Sequence, residues 1–238
     1  MFNNKALSDK LFSRDTSRPL DYRMVKAAKG DSAEIYIYDM IGSWGVTAQS
    51  FVKDLKALGS VKHIDLHISS DGGDVFDGRA IYNNLVKHPA TITAHVDGLA
   101  ASIASLIMLA GDEVHMAEGS FVMIHNAWGF AMGDSNDMRK TADLLESVNN
   151  SIIDTYISKT GQSRDDIVSW MNEETWLTAQ EALDLGFVTS IDEPLKMAAK
   201  VRNPGIFNKL PSALAPSRIA AVEALERIRA LTGSLKTA

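Results

Sequence analysis

The sequence predicts an α/β fold built on a parallel sheet. Three observations point to it. Short apolar segments alternate with amphipathic helical segments through the first half of the chain. That β-α-β-α-β-α order implies parallel strands joined by right-handed crossovers. Small or reactive residues (Gly72-Gly73, Ser102, His125) fall just after strands, where ligands of such sheets bind.

Residues 1–32 are polar and read as a flexible N-terminal arm. Order begins at Ala33-Glu34-Ile35-Tyr36-Ile37-Tyr38, which alternates like a strand. Gly42 to Gly45 makes a turn around Trp44. Thr47 can cap a helix through Leu58 whose Phe51, Leu55 and Leu58 share one face. Residues 63–69 read as a strand, 71–74 as a loop, and 75–87 as a helix with Ile81, Leu85 and Val86 inward. A third strand over 91–96 leads to Ser102 and an apolar helix reaching about Ala110. Residues 113–117 and 121–124 are short strands. A long helix over 135–159 carries Met138, Ala142, Leu145, Val148, Ile152 and Tyr156 at 3–4 spacing. Ser163 and Thr178 can cap the next two helices, over 164–171 and 179–185, and residues 187–191 read as a last strand. From Pro194 four prolines (194, 204, 211, 216) punctuate a linker before a final helix over about 217–231. The expected organisation is an arm over 1–32, a catalytic domain over 33–193, and a linker with a C-terminal helix over 194–238.

With 238 residues, 45% hydrophobic and 23% charged, the chain can bury a sizeable core. A net charge of −6 argues against a broad nucleic-acid-binding face. The absence of cysteine excludes disulfides, thiolate metal sites and a cysteine nucleophile, and fits a reducing compartment. The first residues lack an apolar signal core, and the longest apolar stretch, 99–110, is too short to span a bilayer. The expected location is the cytoplasm, with no membrane partner.

The segment Gly98-Leu99-Ala100-Ala101-Ser102-Ile103-Ala104-Ser105 places a serine between a strand and a helix among small residues. A tight turn without bulky neighbours exposes a hydroxyl, and a helix start favours negative charge. Serine needs a base. Of the six histidines, His63, His67, His88, His95 and His115 read as structural. His125 ends the apolar strand Phe121-Val122-Met123-Ile124 and is the candidate. A base needs a carboxylate to orient it, and Glu173-Glu174 is available; the residues alone do not choose between them. Gly72-Gly73 admits close approach to its backbone N–H groups, and Ile103 offers a second N–H. The order Ser, His, acid differs from chymotrypsin, subtilisin and the α/β-hydrolases, and Gly-x-Ser-x-Gly is absent. No Lys-Ser/Thr follows the glycine pair, so it is not a phosphate loop.

Five segments resemble the Clp protease proteolytic subunit and its ClpP/crotonase fold. They are Ile68-Ser69-Ser70-Asp71-Gly72-Gly73, Gly98-Leu99-Ala100-Ala101-Ser102-Ile103, Met123-Ile124-His125, Thr160-Gly161-Gln162-Ser163, and 177–188 from Leu177-Thr178-Ala179 to Phe187-Val188. The resemblance implies a β-α-β spiral with a protruding handle helix. It implies Ser102 as nucleophile, His125 as base, Glu174 as the acid, and Gly73 and Ile103 as oxyanion donors. It further implies a substrate strand over 126–133, with Gly72, Asn126, Ala127, Trp128 and Gly129 receiving an extended peptide by β-augmentation. No metal or organic cofactor is needed by that chemistry.

Three departures from the family pattern stand out: Asp71 where proline is usual, Glu174 where aspartate is usual, and the long ends. The Glu174-Thr175-Trp176 variant and Ile41-Gly42-Ser43-Trp44-Gly45-Val46-Thr47-Ala48 look like the ClpP-related head maturation proteases of phages and prophages. That likeness implies a capsid or scaffold substrate, cut in the bacterial host cytoplasm or within the procapsid. The family likeness implies self-association in rings, heptamers or stacked tetradecamers, and makes a Clp-type ATPase a candidate partner. The alternatives are a housekeeping subunit that degrades unfolded proteins with an ATPase, and a crotonase-like acyl-CoA enzyme that uses the same oxyanion architecture.

Overall fold

The computed structural model describes residues 21–27, 31–193, 201–212 and 214. The strands are β1 (Tyr22–Lys26), β2 (Ser32–Ile37), β3 (His63–Ser70), β4 (Thr91–Ala101), β5 (Glu113–Ala117), β6 (Phe121–Ile124), β7 (Thr175–Thr178) and β8 (Ser190–Asp192). The helices are α1 (Ala48–Ala57), α2 (Val75–Val86), α3 (Ile103–Met108), α4 (Ser135–Thr160), α5 (Arg164–Asn172) and α6 (Ala179–Asp184). The sheet runs β1-β2-β3-β4-β5-β8, and β6 joins β4 to β7. All pairings are parallel except β1 with β2 and β6 with β7. This is the mostly parallel α/β sheet expected from the sequence.

The local causes are visible in each element. In β3 the side chains of Ile64, Leu66 and Ile68 alternate inward with no exposure, each contributing about 1.5–3 kcal/mol of apolar burial. Thr47 caps α1 by accepting the Ser50 N–H, and Asp74 caps α2 by accepting the N–H groups of Phe76 and Asp77. Thr178 and Glu181 close a reciprocal capping box on α6. One apolar cluster joins the inner face of the sheet to α1, α2 and α3.

Strand β4 is the spine of the site. Its first half pairs with β5 (Thr93–Val96 with Glu113–Met116) and its second with β6 (Leu99–Ala101 with Phe121–Met123). It therefore runs five residues beyond the expected end at Val96 and delivers Ser102 directly from its last residue. The extension is stabilised by β6, whose partnership the local pattern does not announce.

Helix α4 is 26 residues long, about 39 Å. Asp134 and Asp137 form a capping box at its start, and Gly161 ends it in the left-handed region. Only Ile152, Ile153 and Tyr156 are buried. Met138 and Leu144 are exposed, and the first half of the helix projects from the body as a handle.

Several expectations are corrected. Residues 22–26, assigned to the flexible arm, form edge strand β1, because Tyr22 and Met24 pack on the core while β1 pairs with all of 33–37. The last strand is 190–192 rather than 187–191, since Phe187 and Val188 bend back to hydrogen-bond Ala182. Strand β7, in a stretch to which the sequence assigns no element, forms because β6 offers it a free edge. Residues 126–133 are not a strand: β4 has ended at Ala101 and β7 begins opposite Ile124, so no neighbour remains to pair with them. Part of the region read as a linker, 201–212, packs against the body. The helix expected over 217–231 lies outside the described residues.

Candidate active site

Ser102 stands between β4 and α3 with φ 55° and ψ −129°. Only two non-glycine residues among those described have positive φ, and the other is Glu174 at 53°. Each such conformation costs on the order of 1–3 kcal/mol and persists only where the surroundings enforce it. For Ser102 the enforcement is specific. Its N–H donates to the Met123 carbonyl at 2.8 Å, and its carbonyl accepts the Ser105 N–H and hydroxyl. The Ser105 hydroxyl is 2.7 Å from that of Tyr156, which ties the turn to α4. The hydroxyl of Ser102 is thereby turned out toward His125, 2.8 Å away at Nε2.

His125 follows β6 directly, and β6 pairs with β4 in the register that sets Ala101 beside Met123. Strand pairing thus converts a separation of 23 residues into a hydrogen bond. Burial lowers the His125 pKa, while the Glu174 charge opposes that shift. A neutral imidazole near pH 7 can accept a proton.

Glu174 and Glu173 part company at the end of α5. Glu173 is the C-cap and its side chain points to solvent, with Lys209 Nζ at 3.8 Å. Glu174 occupies the left-handed position beyond the cap, usually a glycine. Its N–H donates to the Met171 carbonyl, the Thr175 hydroxyl takes the Trp170 carbonyl, and the chain turns Glu174 inward to 6% exposure. Its carboxylate accepts four hydrogen bonds: from Asn208 N at 2.7 Å, Lys209 N at 2.6 Å, Asn208 Nδ2 at 3.1 Å and Trp176 Nε1 at 3.4 Å. Desolvation pushes its pKa up, but these donors outweigh it and the carboxyl lies below its ordinary value. No hydrogen bond joins Glu174 to His125 among the described residues. The two carboxyl-side partners expected to touch are neighbours that interact through space.

The glycine pair closes the other side. Gly72 (φ 89°) lies so close to the serine turn that a Cβ would meet Ala101 O and Ser102 Cβ at 2.7 Å and Ile103 N at 3.2 Å. Gly73 (φ 144°) bridges to Ile41, whose carbonyl a Cβ would meet at 2.1 Å. A cavity of about 340 Å³ runs between Gly73, Ser102, His125 and the segment bearing Trp128, Gly129 and Phe130. In that segment Asn126 Nδ2 donates to Asn172 and the Ala127 N–H to Asn149. Trp128 and Phe130 are exposed and contact each other edge to face.

A serine at a strand-to-helix turn, hydrogen-bonded to a histidine beside a glycine pair, on a sheet of this topology, matches one family over most of its length. The model of the Clp protease family fits residues 29–194, more than half of the chain. The chain belongs to the Clp protease family. It is 32% identical over 147 residues to the ATP-dependent Clp protease proteolytic subunit 1 of Leifsonia xyli subsp. xyli, covering 61% of this chain and 75% of that subunit. It is 30% identical over 151 residues to subunit 2 of Mycolicibacterium paratuberculosis, covering 63% and 74%. The Clp protease proteolytic subunit of Bacteroides fragilis is 30% identical over 150 residues, covering 61% and 72%. The family is one of peptidases, and the sheet described above is consistent with its fold.

One packed segment lies beyond this Clp-type domain, in the region expected as a linker. Residues 201–212 follow the family match, and 202–206 and 208 line a cavity of about 730 Å³ with His125 and Glu174. Asp71 Oδ2 accepts the N–H groups of Arg202 at 2.8 Å and Asn203 at 2.7 Å. Phe207 packs between His125 and Trp176. Val201, Phe207 and Leu214 join Leu99, Ala101 and Met123 in a second apolar cluster. The available signal was the spacing of Val201, Ile206, Phe207, Leu210 and Leu214 among polar residues, too irregular for helix or strand.

Of the remaining histidines, His88 follows α2 and the other four lie on sheet strands. Tyr36, His67, His95 and His115 lie on adjacent strands, with His67 stacked on both Tyr36 and His95. His95, His115 and Asp192 each bring one ligand atom within 4.8 Å of the others. Asp192 Oδ2 lies 4.0 Å from His95 Nδ1 and 3.6 Å from His115 Nδ1, while the Nε2 atoms of the two rings lie 3.3 Å from Asp65 Oδ1 and from Glu113 Oε2. No described helix is long and apolar enough to cross a membrane.

Proposed function

We propose that this chain is a serine endopeptidase that works through an acyl-enzyme. The observation that carries the reading is the 2.8 Å contact of Ser102 Oγ with His125 Nε2 on a strained strand-to-helix turn. In the first step His125 Nε2 takes the Ser102 proton as Oγ attacks the peptide carbonyl. The oxygen of that carbonyl becomes an anion and receives the N–H groups of Gly73, which lines the same cavity as Ser102, and of Ile103, the residue after it. The imidazolium then gives its proton to the leaving amine, and water repeats the sequence in reverse to release the acid. Glu174 orients His125 in the competent state. A peptide substrate lies in the cavity that Ser102 and His125 share with Gly73, Ala127, Trp128 and Gly129.

By the same reading the enzyme acts in the cytoplasm and associates in rings through the handle helix, whose exposed Met138 and Leu144 need a partner surface. For the substrate, we favour a capsid or scaffold protein cut during phage or prophage head maturation. Glu174 in the acid position, and a C-terminal segment beyond the family domain, support a specialised protease. The second reading is degradation with a Clp-type ATPase, favoured by the relatives named above, which are subunits of ATP-dependent proteases. A crotonase-like acyl-CoA reaction is disfavoured by the Ser102–His125 pair. Ser102→Ala should lower peptide cleavage by about 10⁶-fold and abolish fluorophosphonate labelling while leaving assembly intact; labelling that persists in this variant removes the nucleophile assignment. Mass spectrometry of products from the chain co-expressed with the neighbouring capsid or scaffold gene separates the two substrate readings, since discrete cuts favour maturation and an ATPase requirement favours degradation.

A further inference from the structure

A segment of the chain beyond the family match lines the cleft. Residues 201–212 cross it in an irregular path with a single 3-10 turn at Pro204–Ile206. Both ends are fastened by main-chain N–H groups to carboxylates that flank the serine. Asp71, next to the glycine pair, takes Arg202 and Asn203. Glu174, next to His125, takes Asn208 and Lys209. Between the fastenings Ile206 and Phe207 wall the cavity that holds Ser102 and His125. Outside the cleft Arg202 pairs with Asp21 at 3.1 Å and Asp39 at 3.5 Å.

The arrangement has a chemical consequence. An ionised carboxylate offers about four lone-pair positions, and Glu174 receives four donors, three of them from Asn208 and Lys209. None is left for the second ring nitrogen of His125. Without that bond neither the tautomer nor the orientation of the base is held, and the imidazolium formed during attack is poorly stabilised. The same segment lines, with Asn126 to Trp128 and Phe130, a cavity of about 730 Å³ beside His125.

We propose that residues 201–212 are a cis-acting inhibitory segment that keeps the protease latent by withholding Glu174 from His125 and occupying the mouth of the cleft. This rests on the serine-protease reading above. Displacement of the segment frees both Glu174 oxygens to face His125 and opens the cleft to an extended polypeptide. The competing role, a permanent wall that helps build the substrate site, makes the opposite prediction: loosening the segment lowers activity.

The test uses the full-length chain and reads the rate of fluorophosphonate labelling of Ser102 together with cleavage of an unstructured peptide. Arg202→Ala removes only the two ion pairs and leaves the apolar cluster intact, so it keeps the fold. It should raise both rates by about fivefold. Phe207→Ala removes the wedge against His125 and should raise them about tenfold or more. Both gains should vanish when Glu174→Gln is added, because the freed side chain then carries no charge to support His125. Rates at or below wild type in a folded Arg202→Ala chain overturn the inhibitory role, as does a gain that survives Glu174→Gln. Those results leave the protease reading standing provided the wild-type chain labels above a Ser102→Ala blank. If no variant labels above that blank, the serine-protease reading fails and the inhibitory role falls with it.

Discussion

Ser102 and Glu174 share a positive φ that no other described non-glycine residue adopts. Ser102 follows the last residue of β4, and Glu174 follows the C-cap of α5. Strain at two points of one site marks where function outweighs local propensity. His125 provides a pH test of the electrostatics. Burial lowers its pKa and Glu174 raises it, so Glu174→Gln should move the acidic limb of the labelling rate to lower pH, whereas Glu173→Gln, on an exposed side chain, should leave it in place. Asp71 provides a test by stability. Desolvation pushes its pKa to about 6 from 3.8, against the opposing pull of the Asn203 and Arg202 N–H groups. The folded chain therefore binds this proton more tightly than the unfolded chain, and the contribution to stability falls as pH rises from about 4 to about 6, by about 3 kcal/mol. Asp71→Asn should raise the melting temperature at pH 7 and flatten its dependence across that window, measured by scanning calorimetry.

Among the elements, β4 and α4 matter most for activity. Strand β4 carries two partners in succession, and its second half exists because β6 pairs with it. Disturbing β6 should therefore displace both Ser102 and His125 at once. Met123→Asp, at a position with no exposure, is expected to abolish labelling and cooperative unfolding together, by about 3 kcal/mol or more of lost stability. Helix α4 behaves differently at its two ends. Its last turns are anchored by Ile152, Ile153 and Tyr156, and its first turns expose Met138 and Leu144. If these face another subunit, Met138→Asp with Leu144→Asp should leave the monomer folded and reduce the particle mass in sedimentation velocity; an unchanged mass removes α4 from the assembly interface.

For the whole molecule, the three departures from the Clp pattern noted in the sequence meet in one contact. Asp71 and Glu174 are the two carboxylates that hold residues 201–212, and those residues belong to the extension. Together they tie a segment outside the family domain to the surroundings of His125. Arg202 extends the coupling to Asp21 at the start of β1, so the N-terminal edge and the C-terminal segment are linked across the sheet.

Much of this protein follows from its amino-acid order alone. The alternation of β3, the caps Thr47, Ser163 and Thr178, and the placing of Gly72-Gly73, Ser102 and His125 after strands are local patterns, and local patterns survive in sequence because each is set by neighbours a few residues away. The interior choice of Glu174 over Glu173, the edge strands β1 and β7, and the bed of residues 201–212 did not show in that way. Each depends on a partner brought close by folding: a free strand edge, a helix end that turns one glutamate inward, or a main-chain N–H from 34 or more residues away. Composition and periodicity carry no record of such a partner, so only the tertiary structure decides which carboxylate lies beside His125 and what holds it there.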